Sequence, residues 1–371
     1  MIVRFGFVAM SMLLENASPS KTMTFASFSK LEDREAGLRK LERIAEENLT
    51  NTLRMLKHCR GNGIQVYRFS SKLIPLATHD ALADWNPFPA LADKFAEIGA
   101  FVRDNNMRVS FHPDHFCVFS TPRPEVLAKS REDVDYHVRM LEAMGLNEAF
   151  KNNIHVGGAY GNKEVSGARF IQQFGETDAR YRNRISLEND DKTFNVRETL
   201  GIAEAVGVPM VLDIHHHAVN DGGESDRSLH GDLWPRIVRT WEQENMRLAE
   251  AGANQGHAIT DGDAAGTDDA CIMLDAAFGT EPANGSSLWL PPKIHASSPK
   301  SPTDPRSHAD YVETGPLLHF LRSIAGSVAA VDCMLEAKRK DDALLRLMDE
   351  LRELEARGEG FRVISESAIE L

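Results

Sequence analysis

Two kinds of apolar pattern alternate along this chain. Short runs of Val, Ile, Leu, Met and Phe give way to longer stretches in which apolar positions recur every three or four residues. The first kind reads as a strand buried on both faces, the second as an amphipathic helix. In order, the pattern predicts eight strand–helix pairs. A strand over 2–9 precedes LRKLERIAEENLTNTLRMLKHC, which ends near Gly61-Asn62-Gly63; QVYRF precedes PALADKFAEIGAFVRDN; RVSFH precedes REDVDYHVRMLEAMG. NIHVGG is followed by a helix near 163–174, ISLEN by NVRETLGIAEAVG, and PMVLDIHHH by a helix near 232–250. PPKIH with a helix near 309–325 and VAAVDCMLEAK with LLRLMDELRELEAR close the series. Strict β-α alternation predicts a parallel sheet with helices outside it. At 371 residues the chain suits one α/β (β/α)8 TIM barrel with insertions.

Six of the strand runs end on a side chain of metal-ligand type: His112, His155, Glu188, Asp213, His295 and Glu336. Tips of parallel barrel strands converge on one face, where such enzymes keep their chemistry. A single imidazole after a strand is ordinarily a hydrogen-bonded structural group. Three of them interleaved with three carboxylates are different, because burying so many ionisable groups together is costly unless cations supply the opposing charge. Imidazole with carboxylate and without thiolate suits manganese, zinc or iron better than magnesium. Glu188, central in the strand order, has two oxygens that can bridge two ions. One residue of His215-His216-His217 is expected to be a further ligand, the others supporting it. His308, in RSHADYV, is placed either to reach back as a ligand or to start a helix. Lys293 lies two residues before His295, so the strand period turns both inward, and an ammonium there must be displaced, neutral or modified.

Successive tips lie 43, 33, 25, 82 and 41 residues apart, and the long interval contains 246–290, where seven acids face Arg247 alone. That segment reads as an inserted, partly disordered surface loop within a single domain spanning 1–371. The formal net charge of −13 lowers the expectation of nucleic-acid binding without excluding it, since ligand carboxylates contribute and bound ions would offset them. The four cysteines, Cys59, Cys117, Cys271 and Cys333, lie far apart with no C-x-x-C spacing, which fits a reducing cytoplasm. No apolar run approaches the ~20 residues of a membrane span. Arg4 interrupts the N-terminal MIVRFGFVAMSMLL, which reads as a first strand and not a leader.

Ten segments together resemble the UV-damage DNA endonucleases of the UvdE type: RFGF, LLENASPSKTMTF, YRFSSKLIPLATH, the HP-x-x-F element at His112–Phe116, HVGGAYGNK, LENDDKT, DIHHH, PPKIHASSPKS, RSHADYV and LEAKRKD. The resemblance spans nearly the whole chain outside 246–290. It implies a TIM barrel related to endonuclease IV and a manganese-preferring centre of three divalent ions, with zinc or magnesium as alternatives. It implies metal ligands at His112, His155, Glu188, Asp213, His216, His295, His308 and Glu336. Glu188, Glu336 and Lys293 take the catalytic roles, the lysine being carboxylated in some family members. Damage recognition in the family uses a glutamine-aromatic pair after the third strand and an aromatic at the first strand end. Here those positions hold His115, Phe116 and Phe7, so the glutamine is replaced and lesion preference is open. Arg68 and Lys72 are the strongest phosphate-contact candidates, ahead of Arg4, Lys163, Lys192, Lys300 and Arg306.

The resulting expectation is a metal-dependent endonuclease. It would nick damaged double-stranded DNA 5′ to cyclobutane dimers and 6-4 photoproducts through metal-activated hydroxide, initiating excision repair. Neither a membrane nor an obligatory protein partner is expected. The alternatives are a general abasic-site endonuclease, a sugar isomerase or epimerase on a similar barrel, and a damage-binding protein without catalysis.

Overall fold

The computed structural model describes residues 1–114, 116–257 and 290–371. Eight parallel strands form the barrel: β1 (Ile2–Val8), β2 (Val66–Arg68), β3 (Arg108–Ser110), β4 (Asn152–His155), β5 (Ile185–Glu188), β6 (Met210–Asp213), β7 (Lys293–Ala296) and β8 (Ala330–Leu335). Each neighbour pair is hydrogen-bonded in chain order, and β8 returns to β1, with Ile2 opposite Ala330 and Phe7 opposite Leu335. Between β3 and β4, among the described residues, one bridge from Phe111 to Asn152 makes the join. Eight long helices cover the outside: α1 (Arg34–Gly61), α2 (Phe88–Asp104), α3 (Pro124–Ala143), α4 (Lys163–Gly175), α5 (Val196–Val206), α6 (Trp234–His257), α7 (Thr314–Ile324) and α8 (Lys340–Ala356).

Local chemistry sets the ends of these elements. Asn195 and Glu198 form a capping box at the start of α5, and Gly207 with φ 70° closes it in the left-handed conformation. Gly6 is required by close approach: a Cβ there would lie 2.2 Å from the carbonyl oxygen of Val66, so β1 and β2 touch where any side chain would separate them.

Strand parity decides which side chains enter the barrel. Val3, Phe5 and Phe7 point outward beneath the helices, as do Phe111, Leu187, Leu212 and Cys333, and all are buried. Arg4 and Asp332 are opposite one another across β1 and β8, and Asp332 is opposite Lys293. Inside, Arg4 Nε donates to Asp332 Oδ1 at 2.7 Å, and Arg108 Nη1 donates to Asp332 Oδ2 at 2.6 Å. The lumen therefore holds a network of paired charged groups where such barrels usually carry branched aliphatic side chains. Arg4 belongs to this interior network and is no surface phosphate contact. Phe7 is likewise misplaced by the sequence reading: it is 0% exposed, with its ring 5.4 Å from that of Tyr67 in an edge contact. Its parity matches Phe5, not Arg4, so it cannot reach a ligand at the mouth.

Three further departures concern elements. The helix expected near 232–250 runs on to His257, so residues 246–257 continue α6 as a helix; the remainder of the expected insertion, 258–289, lies outside the described residues. An antiparallel hairpin, Pro299–Ser301 with Asp304–His308, stands where a helix start near 309 was expected, and α7 begins only at Thr314. A C-terminal pair, Arg362–Ser365 and Ala368–Glu370, adds antiparallel to the first half of β1, where the three-residue β2 is too short to pair. Cys59, Cys117 and Cys333 are buried free thiols, and no helix among the described residues is long and apolar enough to cross a membrane.

Candidate metal centre

Register brings the strand tips together. His155 lies opposite Glu188 and Asp213 opposite His295, while Met334 opposite His295 carries Glu336 to the rim two residues later. Asp213 also caps the six-residue helix Ile214–Val219, its Oδ1 accepting from the His216 backbone N–H at 2.7 Å, which fixes His216 over the mouth. His308 arrives from the end of the hairpin strand. Two adjoining groups result: His112, His155 and Glu188, and Glu188, Asp213, His295 and Glu336, each with ligand atoms within 4.8 Å of one another. Glu188, 1% exposed, belongs to both.

Backbone carbonyls fix the orientation of four of the imidazoles. His112 Nδ1 donates to the Pro113 carbonyl at 2.8 Å, His216 Nδ1 to that of Asn189 at 2.9 Å, and His308 Nδ1 to that of Glu336 at 2.7 Å. His155 Nδ1 makes a longer approach, 3.3 Å, to the Glu188 carbonyl. A carbonyl can only accept, so each ring carries a proton on Nδ1, and it is Nε2 that offers the lone pair when the ring is neutral. His112 Nε2 lies 3.3 Å from Glu188 Oε2. His295 is turned the other way, with Nδ1 3.0 Å from Glu188 Oε1 and 3.1 Å from Glu336 Oε1. One proton on that nitrogen can serve only one of the two oxygens; a cation in their midst would serve both. Asp213 Oδ2 is buried without a hydrogen-bond partner, a carboxylate oxygen left for such an ion.

The electrostatics follow from this crowding. Burial pushes the Asp213 carboxyl up to about 6, with the charges of Glu188 and Glu336 adding to the shift. Burial opposes protonation of His216, but Asp213, Glu188 and Glu336 outweigh it and raise the imidazole to about 9. Burial would also raise Glu188; the imidazoles of His295 and His155 reverse that and hold it well below the usual carboxylate range. Glu336 is held low, against burial, chiefly by Arg68, whose Nη1 donates to its Oε1. Protons on imidazoles thus occupy the role that divalent cations would take, and four Nε2 atoms with three carboxylates are a donor set that suits such ions.

Around this centre the sequence candidates separate. Lys293 is buried, donates to Ser110 Oγ at 2.8 Å, and is lowered to about 7 by burial and then by Arg108 and Arg68. Arg68 is committed to Glu336, not to solvent, whereas Lys72, Lys192, Lys300 and Arg306 are exposed and Lys163 pairs with Glu198. Phe116 is 72% exposed in the loop after β3; His115 lies outside the described residues. His216 is the member of its triplet that meets Glu188, while His215 and His217 line a cavity of about 460 Å³, and His215 also makes an edge contact with the His308 ring at 5.5 Å. Sequence reasoning missed Asn153, which donates to Glu188 Oε2 and accepts from Ser186 Oγ at 3.0 Å. It also missed Asn189, bonded both ways to the Asp213 backbone at 2.9 and 3.0 Å. Parity held a signal for the first: Asn153, Ser110 and Ser186 each stand two residues before a ligand, hence on the same inward face.

Comparison with known proteins follows the same line. The UV-endonuclease UvdE family model matches residues 3–258 and 286–370, leaving 259–285 outside it. The UV DNA damage endonuclease of Bacillus velezensis is 39% identical over 351 residues, covering 95% of this chain and 94% of its own length. That of Halalkalibacterium halodurans is 37% identical over 371 residues, 100% of this chain and 99% of its own. The solved structure of SacUVDE superposes with a TM-score of 0.72 at 27% identity, over 95% of this chain and 99% of that one.

Proposed function

The chain belongs to the UV-endonuclease UvdE family, and from that premise we propose that it nicks duplex DNA 5′ to cyclobutane dimers and 6-4 photoproducts by metal-dependent hydrolysis. The observation that carries the metal-dependent part is Glu188: a carboxylate 1% exposed and shared by two ligand groups has no structural use that a neutral residue would not serve better.

His112, His155, Glu188, Asp213, His216, His295, His308 and Glu336 would hold divalent ions, manganese by family resemblance. Such ions supply a nucleophilic hydroxide at neutral pH and offset the charge that develops on the phosphate. The chain's own groups do the remainder. Nδ1–H bonds to backbone carbonyls keep the imidazoles from rotating when substrate enters. Arg68 holds Glu336 in place and neutralises one charge of the carboxylate cluster. Lys293, at about 7, can be neutral at working pH, which removes the repulsion an ammonium would feel there. The exposed ring of Phe116 is available to press against a base step, and Lys72 to meet the backbone.

The test is single-turnover nicking of a duplex carrying one defined cyclobutane dimer, beside duplexes with an abasic site and with no lesion, in added manganese. The expected result is incision 5′ to the dimer in preference to the other two. Glu188→Gln should lower it by at least about 100-fold, the upper end of what indirect metal-site changes cost. Equal cutting of the abasic duplex would replace the photolesion reading with the general one, and full activity of Glu188→Gln would remove the centre from the mechanism.

A further inference from the structure

Among the described residues, eight large apolar side chains are exposed, and five of them stand in loops at the mouth of the barrel: Met10, Met12 and Leu13 after β1, Phe116 after β3 and Tyr160 after β4. The first three form a group with an unusual property. These residues are 41%, 48% and 49% exposed, yet the backbone beneath them is held by hydrogen bonds along its length.

The ties run the length of the loop. Ala9 holds a left-handed φ of 60°, a conformation unfavourable for a non-glycine residue that persists only where surroundings impose it. Its N–H donates to the Arg68 carbonyl at 2.8 Å and its carbonyl accepts from Tyr67 Oη at 2.6 Å. Ser11 Oγ donates to Asp341 Oδ2, and Met12 N–H donates to Asp341 Oδ1 at 2.7 Å. Asp341 is fully buried at the start of α8 and is also bonded by His58 Nε2 at 3.0 Å. The Leu13 and Leu14 N–H groups return to Ser11 Oγ at 3.0 and 2.9 Å, and Arg54 clamps the carbonyls of Glu15 and Asn16. A loop that needed only to connect β1 to α1 would turn polar side chains outward. Here strain and these hydrogen bonds hold three thioether and aliphatic groups in water, and Ala9, next to Met10, is bonded to the backbone of Arg68, which pairs with Glu336.

We propose that Met10, Met12 and Leu13 form a rigid apolar wedge that enters the duplex at the damaged base step, opposite the exposed Phe116. The occupant is an unstacked step of duplex DNA, because the loop leaves β1 at the strand-tip end of the barrel and is tied through Ala9 to the backbone of Arg68, whose side chain holds Glu336 at the metal centre. This rests on the reading of that mouth as a DNA site. Apolar side chains inserted between base steps unstack and kink a duplex, and pre-set backbone means little ordering entropy is lost on insertion. Methionine suits the role, being flexible beyond the backbone and polarisable against a base face. The loop thereby takes the place that Phe7, packed inside, cannot fill.

The test uses the full chain with manganese and a duplex containing one cyclobutane dimer and a 2-aminopurine beside it. M10S/M12S/L13S is expected to cut the single-turnover nicking rate by about 10-fold, the scale of losing one or two stacking contacts. The rise in 2-aminopurine fluorescence on binding should fall to less than about half. M10L/M12L/L13M, which keeps apolar volume, should retain both within about 3-fold. A role confined to stability would lower the melting temperature without changing the fluorescence of bound DNA. If the serine triple variant fails to fold, Met12→Ser alone carries the test with a smaller loss of the same two signals. Wild-type nicking and fluorescence in the serine variant would overturn the wedge while leaving the endonuclease reading intact. Failure of the parent protein to bind or nick the duplex would sink that reading and the wedge with it.

Discussion

Asn153 shows how much of the site rests on a residue without charge. Its amide donates to Glu188 Oε2 and is itself oriented by Ser186, so it sets the rotamer of the carboxylate shared by both ligand groups. Asn153→Leu keeps the volume and removes the orienting bond. The expected outcome is a fold that melts within a few degrees of the parent, with metal affinity or nicking reduced by about 10–100-fold. A manganese titration followed by activity checks it, and unchanged half-saturation would show that Glu188 is positioned by its other neighbours. At this scale the sequence displayed the converging His, Asp and Glu well, because so many ionisable side chains at successive strand tips have few other uses together. It displayed their supports poorly, because Asn, Ser and backbone carbonyls occur everywhere and only parity marks them. Phe7 failed for the reason Asn153 was overlooked: an aromatic at a strand end is legible, but the face it points to follows from Arg4 and Phe5 beside it, whose partners only the fold reveals.

Helix α3 carries a pair whose titration can be read as a unit. Asp133 and His137 are one turn apart, with Nδ1 3.5 Å from Oδ1, and Asp133 Oδ2 and His137 Nε2 are buried without partners. Burial lowers His137 from 6.5 to about 4, His112 assisting; burial raises Asp133 from 3.8 to about 7, Asp114 and Glu132 assisting. Between about pH 4 and 6.5 the folded pair holds one proton on the carboxyl, and the unfolded pair holds one on the imidazole. The counts are equal, so the pair contributes no pH dependence there. Asp133→Asn leaves His137 alone, and the unfolded state then binds one more proton than the folded state across that window. Its contribution is fully present above 6.5 and is lost as pH falls toward about 4, by up to about 3 kcal/mol. Urea denaturation of both proteins from pH 4.5 to 7.5 measures the difference, in which other titrating groups cancel. A constant difference would show that the two sites do not share their proton balance. The long, periodic elements carrying such pairs were legible in the chain; the hairpin at 299–308 and the C-terminal pair were not. Their strands span only three to five residues and, Ala368 and Ile369 apart, none of those residues is buried, so they lack the apolar run by which a strand announces itself.

The distribution of charge over the whole molecule decides what the segment outside the family model does. The chain leaves the barrel at α6 and re-enters at Leu290, just before β7, and an α-to-β connection of a barrel lies on the face opposite the strand tips. Asn245 fixes that junction, bonding Leu290 in both directions at 3.1 and 2.7 Å, and Arg108 Nη1 donates to the Pro291 carbonyl at 2.6 Å beside the interior Asp332 pair. Since α6 continues from Asn245 to His257, it carries the chain roughly 18 Å past the junction and away from the metal centre. Residues 259–285 contain six acids and no lysine or arginine, so their removal would bring the formal net charge from −13 to about −7. The described residues that flank them leave the barrel on the face opposite the strand tips, and charge farther from bound DNA than a Debye length, about 8 Å at physiological salt, is screened. Replacing 259–285 with a short Gly-Ser linker should therefore leave nicking at 150 mM salt within about 2-fold of the parent. The same variant should associate several-fold faster with duplex DNA at 10 mM salt, where the Debye length reaches about 30 Å. Stopped-flow association at the two salt concentrations separates the terms. A large loss of nicking at physiological salt, in a variant that still melts like the parent, would mean that the segment reaches the mouth despite its attachment on the far side.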